Sequence, residues 1–191
     1  AGAEWVQIDE PCLALDRTNE ELDAYRRAFG RLRAASGSLK LFLATYFDGL
    51  DENLPAALAL PVDAVHLDLV RSPESLDAAL ELGLPEDKVL SLGVVDGRNV
   101  WRNDLTGSLA LLRRAVRALG SERVMVAPSC SLVHVPIDLR LEDGLDEELK
   151  SWLAFAVQKL DEVRILTRAI NEGEEAVAAE LRESDAAQER R

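Results

Sequence analysis

The sequence predicts an α/β fold with a parallel sheet, built from about five β-α units arranged as a partial (β/α) barrel and closed by a long C-terminal helix. Three observations lead there. Five apolar, β-branched runs recur at intervals of roughly 25 to 35 residues, each followed by a segment of helical period. The second run, Leu39–Phe47, is apolar on both faces, as a strand covered on both sides must be. No Gly-x-Gly-x-x-Gly and no phosphate loop follows any of the strands, which weakens a nucleotide-binding reading and leaves the barrel layout as the better fit. Five units cannot close an eight-stranded barrel, so two open edges are expected.

The first strand carries the organising motif, Trp5-Val-Gln-Ile-Asp-Glu-Pro11. Strand formers lead to two adjacent carboxylates, Asp9 and Glu10, and Pro11 ends the ladder because it has no N–H to donate. Thr18 to Glu21 has the form of a capping box, and a helix should run from there to about Ala35 with Leu22, Tyr25, Phe29 and Leu32 inward. After the second strand a short helix is expected over about Asn53 to Leu60, then a third strand, Ala64–Val70. Ser72 and Pro73 suit the cap and first turn of the next helix, which Gly83 ends. Lys88–Val95 is the fourth strand, followed by a polar loop, Asp96 to Asp104, and a helix over about Thr106 to Leu119 with Gly120 as its stop. Arg123–Ala127 is the fifth strand, and Pro128–Pro136 is a loop rich in reactive side chains. Asp146 should open one long helix to about Asn171, with Leu149, Trp152, Leu153, Ala156, Val157, Leu160 and Val163 as its apolar stripe. The organisation expected is a barrel segment over residues 1–172 and a helical or disordered tail over 173–191.

Composition narrows the function. The chain has 191 residues and a formal charge of −13, so polyanionic nucleic acid and anionic membranes are poor partners. No apolar run reaches the roughly 20 residues of a membrane span, and the first residues do not read as a signal peptide. Cys12 and Cys130 are too few and too far apart for a disulfide framework, so a reducing cytoplasm is expected.

In a barrel the chemistry sits at the C-terminal ends of the strands. Those ends supply Asp9 and Glu10, then Thr45 and Tyr46, Asp68, Asp96, and finally Ser129, Cys130 and His134. Cys130 and His134 are donor types that suit zinc, but a catalytic zinc needs three protein ligands and no third is evident. His66, flanked by Val65 and Leu67, reads as a packing residue, and Asp96 as a turn residue. Trp101 is placed to line a pocket or cover an edge.

The order of these motifs is similar to that of the cobalamin-independent methionine synthases. Val-Gln-Ile-Asp-Glu-Pro on the first strand, Thr-Tyr-Phe after the second and Pro-Ser-Cys-Ser-Leu-x-His-Val-Pro after the fifth carry the resemblance, which covers about residues 1–172. The resemblance implies methyl transfer from 5-methyltetrahydropteroyltriglutamate to homocysteine, with zinc activating the thiol, in an enzyme of two barrel halves of duplicated origin. The catalytic half carries a His-x-Cys pair where this chain has Leu43-Ala-Thr-Tyr-Phe47, and a Glu where it has Asp68. Only Cys130 stands at a thiol position, as a degenerate ligand. The segment therefore resembles the later part of the non-catalytic N-terminal barrel, with Asp9, Glu10, Thr45, Asp68, Cys130 and His134 as its substrate-face residues and no cofactor of its own. The implied partners are the missing barrel half, the catalytic domain, folate and homocysteine, and the isolated chain is expected to self-associate. Two other readings remain open from the residues: a stand-alone binding or regulatory module, and a self-sufficient zinc or acid–base enzyme using Asp9, Asp68, Cys130 and His134.

Overall fold

A computed structural model describes residues 2–191. The strands are β1 (Trp5–Asp9), β2 (Lys40–Ala44), β3 (Ala64–Asp68), β4 (Val89–Val95) and β5 (Val124–Pro128). They form one five-stranded sheet in the order β1-β2-β3-β4-β5. β1 and β2 run parallel in a register that sets Ile8 against Leu43, and β2 and β3 run parallel with Ala44 against His66. Helices alternate with the strands: α1 (Asn19–Ala35), α2 (Leu54–Leu58), α3 (Ser75–Leu82), α4 (Leu105–Leu119), α5 (Glu147–Trp152), α6 (Ala156–Glu172) and α7 (Ala178–Arg190). The α/β fold with a parallel sheet and helical crossovers is thus as the sequence predicts.

The chain resolves into two compact units. One is built from the chain up to Leu92 together with Glu122–Met125; the other is built from Gly93–Ser121 and Val126–Arg191. In the first unit every residue of β3 is buried, because a central parallel strand is covered on both faces. β1, at the end of the strand order, is half-exposed and leaves Val6 open. Thr18 and Glu21 form the predicted capping box at the start of α1. Lys88 is buried just before β4 and donates to the carbonyls of Leu58 (2.5 Å) and Leu60 (2.8 Å), satisfying the C-terminal end of α2. In the second unit α4 starts on an Asp104 cap, and Gly120 takes a left-handed φ of 85° beyond its last residue.

Three element expectations need correction. Ser72 does not cap α3: its hydroxyl bonds to Glu74 and Ser75 within a turn that ends at Glu74, the true cap. The long helix expected from Asp146 is two helices. After Trp152 the chain turns extended at Leu153 and bridges the loop before α4, with Arg102 N–H donating to Trp152 O (2.8 Å) and Ala154 N–H to Val100 O (2.8 Å). That break resets the helical phase. Leu160, placed in the predicted stripe, is 56% exposed, and Lys159, Glu162, Leu166 and Ala169 face inward on α6 instead.

Candidate functional site

The first unit delivers Asp9, Glu10, Thr45 and Asp68 to the C-terminal ends of adjacent parallel strands. Asp9 and Glu10 have separate hydrogen-bond partners. Asp9 is exposed and accepts from Gln7 Nε2 (2.7 Å) and the Tyr46 hydroxyl (3.3 Å). Glu10 is half-buried and accepts from the Tyr25 hydroxyl on α1 (3.1 Å). Burial and the Glu10 carboxylate together push the Tyr25 hydroxyl up to about 12. Thr45 is buried and donates to the backbone carbonyl of His66 (2.5 Å). His66 is buried too, with Nδ1 2.9 Å from the Ser91 hydroxyl and its ring edge-on to Phe42.

Asp68 is the most heavily engaged of the set. It is 3% exposed, and its carboxylate accepts three backbone N–H groups: Phe47 (3.0 Å), Val70 (3.1 Å) and Arg71 (3.0 Å). Burial pushes its carboxyl above the ordinary aspartate range, and the three donors pull it back. Phe47 has a φ of 84°, a conformation that costs a non-glycine residue on the order of 1–3 kcal/mol. The charge-assisted bond from Phe47 N–H to Asp68 helps to hold the loop there. One carboxylate thereby fixes the loops after both β2 and β3.

The second unit carries Asp96, Ser129, Cys130 and His134. Ser129 N–H donates to Val95 O (2.7 Å), and Gly97 N–H reaches the Ser129 hydroxyl (3.2 Å), so the loops after β4 and β5 are joined. Glycine is required at 97: a Cβ there would lie 2.9 Å from both the carbonyl oxygen and Sγ of Cys130. Asp96 is a turn residue, accepting from Arg98 N–H and Asn99 Nδ2, both at 2.7 Å. Cys130 is buried, whereas His134 is exposed at the end of a short 3-10 turn. Trp101 bridges to Leu153, and Arg191 stacks over its ring.

Two buried ionisable residues escape a reading of strand ends. Lys159 is wholly buried on α6 and donates to Trp101 O (3.0 Å) and, at 3.4 Å, to Asn99 Oδ1. Burial pushes its ammonium below the usual lysine range; Glu162, Asp96 and Cys130 oppose that shift. Glu162, three residues on, accepts from Asn103 N–H (2.9 Å) through Oε1, while its buried Oε2 has no hydrogen-bond partner. Burial pushes this carboxyl up, against the pull of Asn103 and Lys159. The signal for both lay in the spacing 159, 162, 166, 169, one helical face shared with Leu166 and Ala169.

The donor set does not fit a metal. Among the described residues no group of three or more His, Cys, Asp or Glu side chains could hold an ion. Asp68, at a predicted rim position, spends its oxygens on backbone N–H groups. No helix of the described residues is long and apolar enough to cross a membrane.

The comparisons with known proteins agree with the motif order. A family described as "Cobalamin-independent synthase, N-terminal domain" matches residues 1–120. The 5-methyltetrahydropteroyltriglutamate–homocysteine methyltransferase of Caulobacter vibrioides is 55% identical over 184 residues, 96% of this chain and 24% of the relative. The protein of the same description from Acidithiobacillus ferrooxidans is 56% identical over 186 residues, 97% of this chain and 23% of the relative. This chain spans about a quarter of the length of the curated relatives it matches. Among solved structures, a B12-independent methionine synthase from Shewanella sp. W3-18-1 superposes with a TM-score of 0.54 at 14% identity, over 94% of this chain and 50% of the other. A Listeria monocytogenes structure assigned to the vitamin-B12 independent methionine synthases gives 0.58 at 13% identity, over 90% and 48%. At such identities the structural matches speak for the fold alone. The chain belongs to the cobalamin-independent synthase family, and its match falls on that family's N-terminal domain.

Proposed function

We propose that this chain is one part of an enzyme that transfers a methyl group from 5-methyltetrahydropteroyltriglutamate to homocysteine, and that its own share is structural. It holds a rim of strand ends and loops in shape for substrate binding and inter-domain packing, while the chemistry belongs to the rest of the enzyme. The observation that carries this reading is the identity above 50% to relatives of that name across nearly the whole chain. The geometry supports the structural share. Thr45, Asp68 and Glu10 are occupied in fixing strands, loops and α1, and Asp9 and His134 lie on the solvent-exposed side of the rim. Zinc, where the enzyme uses it, is expected to take its ligands from outside this segment; among the described residues no group of three or more His, Cys, Asp or Glu forms a ligand set. A cytoplasmic setting suits two thiols, Cys12 and Cys130, that do not form a disulfide.

A chimera tests the reading. The matching segment of the Caulobacter vibrioides methyltransferase is replaced by this chain, and methyl transfer is assayed. Activity within about tenfold of the parent is expected; a folded chimera with no methyl transfer overturns the proposal. In isolation, the open edges of β1 and β5 should pair, since unpaired edges recruit further strands. Light scattering is expected to show a concentration-dependent dimer, and a monomer that persists at high concentration contradicts this.

A further inference from the structure

The C-terminal helix α7 is strongly polar along most of its length; Ser184 and Ala187 are its buried residues. Its side chains nevertheless make a dense set of bonds to one short stretch of the second unit, the loop that leads into α4. Glu183 pairs with Arg102 (2.9 Å), and Asp185 accepts from Thr106 Oγ1 (2.8 Å). The Ser184 hydroxyl donates to Asn103 O (3.1 Å), and Gln188 Nε2 to Arg102 O (3.0 Å). Arg191 closes the row over the Trp101 ring, 5.0 Å from its centre. The same loop is gripped from its other side by α6: Lys159 holds Trp101 O, and Glu162 holds Asn103 N–H. Between the two grips lies a cavity of about 170 Å³, lined by Arg102, Gln158, Glu162, Glu180, Glu183 and Ser184.

The two grips differ in strength. The α6 side is buried and charged, in a setting where breaking a contact leaves an unsatisfied group and costs most. The α7 side is more open: Glu183 is 66% exposed, Asp185 and Gln188 are half-buried and Ser184 is its buried member, and exposed ion pairs contribute little and weaken in salt. A polar helix with two buried residues, whose bonds to the loop are exposed or only part-buried, belongs to the low-stability end of a fold.

We propose that α7 is a detachable strap: closed, it fixes residues 101–104 and walls one side of the half-open cavity beside Glu162; released, it frees that loop while α6 and α4 stay folded. The strap therefore controls the order of a loop that follows a β-strand at its C-terminal end, where barrel folds place their functional loops. The device stands whether or not the enzyme performs the reaction proposed above.

The test is amide hydrogen exchange on the 191-residue chain, wild type against the triple variant Glu183→Ala, Asp185→Ala, Gln188→Ala. Alanine keeps the helix propensity of α7, so the variant removes bonds without disfavouring the helix itself. Exchange across residues 101–104 is expected to quicken about tenfold, with β3, α4 and α6 unchanged. Unchanged loop exchange overturns the proposal, and so does equal quickening through α4 and α6, which makes α7 an integral layer. If the variant does not fold, the wild-type chain decides. Raising salt from about 0.05 to about 0.5 M should speed exchange in α7 and the loop roughly threefold, and the absence of any salt effect there overturns the strap.

Discussion

Asp68 and Glu162 are two buried carboxylates that meet the same physical problem with unequal means. Both are desolvated, and burial raises both carboxyls. Asp68 gathers three backbone N–H donors from two loops. Glu162 has one such donor, the nearby Lys159 ammonium and an oxygen with no partner. The comparison teaches that a buried acid in this chain is not by that fact a reactive acid. Asp68 is a structural knot whose ionised form is stabilised by the loops it organises. Glu162, its carboxyl raised by burial and its second oxygen without a partner, carries less of the architecture.

Mutation separates the two. Asp68→Ala removes three acceptor contacts and leaves the strained Phe47 backbone unsupported, and should cost the first unit about 3 kcal/mol in urea unfolding. A loss below about 1 kcal/mol would place Asp68 among ordinary rim residues. Gly97→Ala probes the second unit without touching either acid. Its Cβ meets the Cys130 backbone carbonyl, which cannot swing aside as a side chain can, so a loss of about 2 kcal/mol is expected. Glu162→Gln is the smallest change and the sharpest discriminator, near zero at pH 4 by the same measurement. The folded-state carboxyl titrates above the ordinary 4.5, so below 4.5 it is protonated in both states and contributes no pH dependence. As pH rises from 4.5 through the raised folded value, the unfolded chain gives up its proton more readily, and wild-type stability falls. Glutamine lacks that fall. The variant should therefore gain on the wild type between pH 4 and pH 7, and a constant difference across that range would contradict the account of Glu162.

Much of the fold was legible because it is written in local chemistry. The capping box at Thr18, the stop at Gly120 and the five apolar strands each rest on residues close in sequence, and the structure keeps them. The break between α5 and α6 was not legible, because it is made by hydrogen bonds from Trp152–Ala154 to a loop some fifty residues earlier. Helical period alone carried the stripe through that break and turned Leu160 inward when it faces solvent. The site divides in the same way. Strand ends can be read from pattern, so Asp9, Thr45, Asp68 and Cys130 could be named. Which of them are occupied depends on loop backbone: the three N–H groups at Asp68 belong to residues whose φ and ψ no periodicity specifies. Lys159 and Glu162 were hidden because charged residues on a helix ordinarily face water.

The central claim is that this chain frames a site and does not itself perform the reaction. The direct measurement is methyl transfer from 5-methyltetrahydropteroyltriglutamate to homocysteine by the isolated 191-residue chain, supplied with zinc. The account predicts no product above the rate without protein. Turnover that is abolished by Cys130→Ser would contradict it.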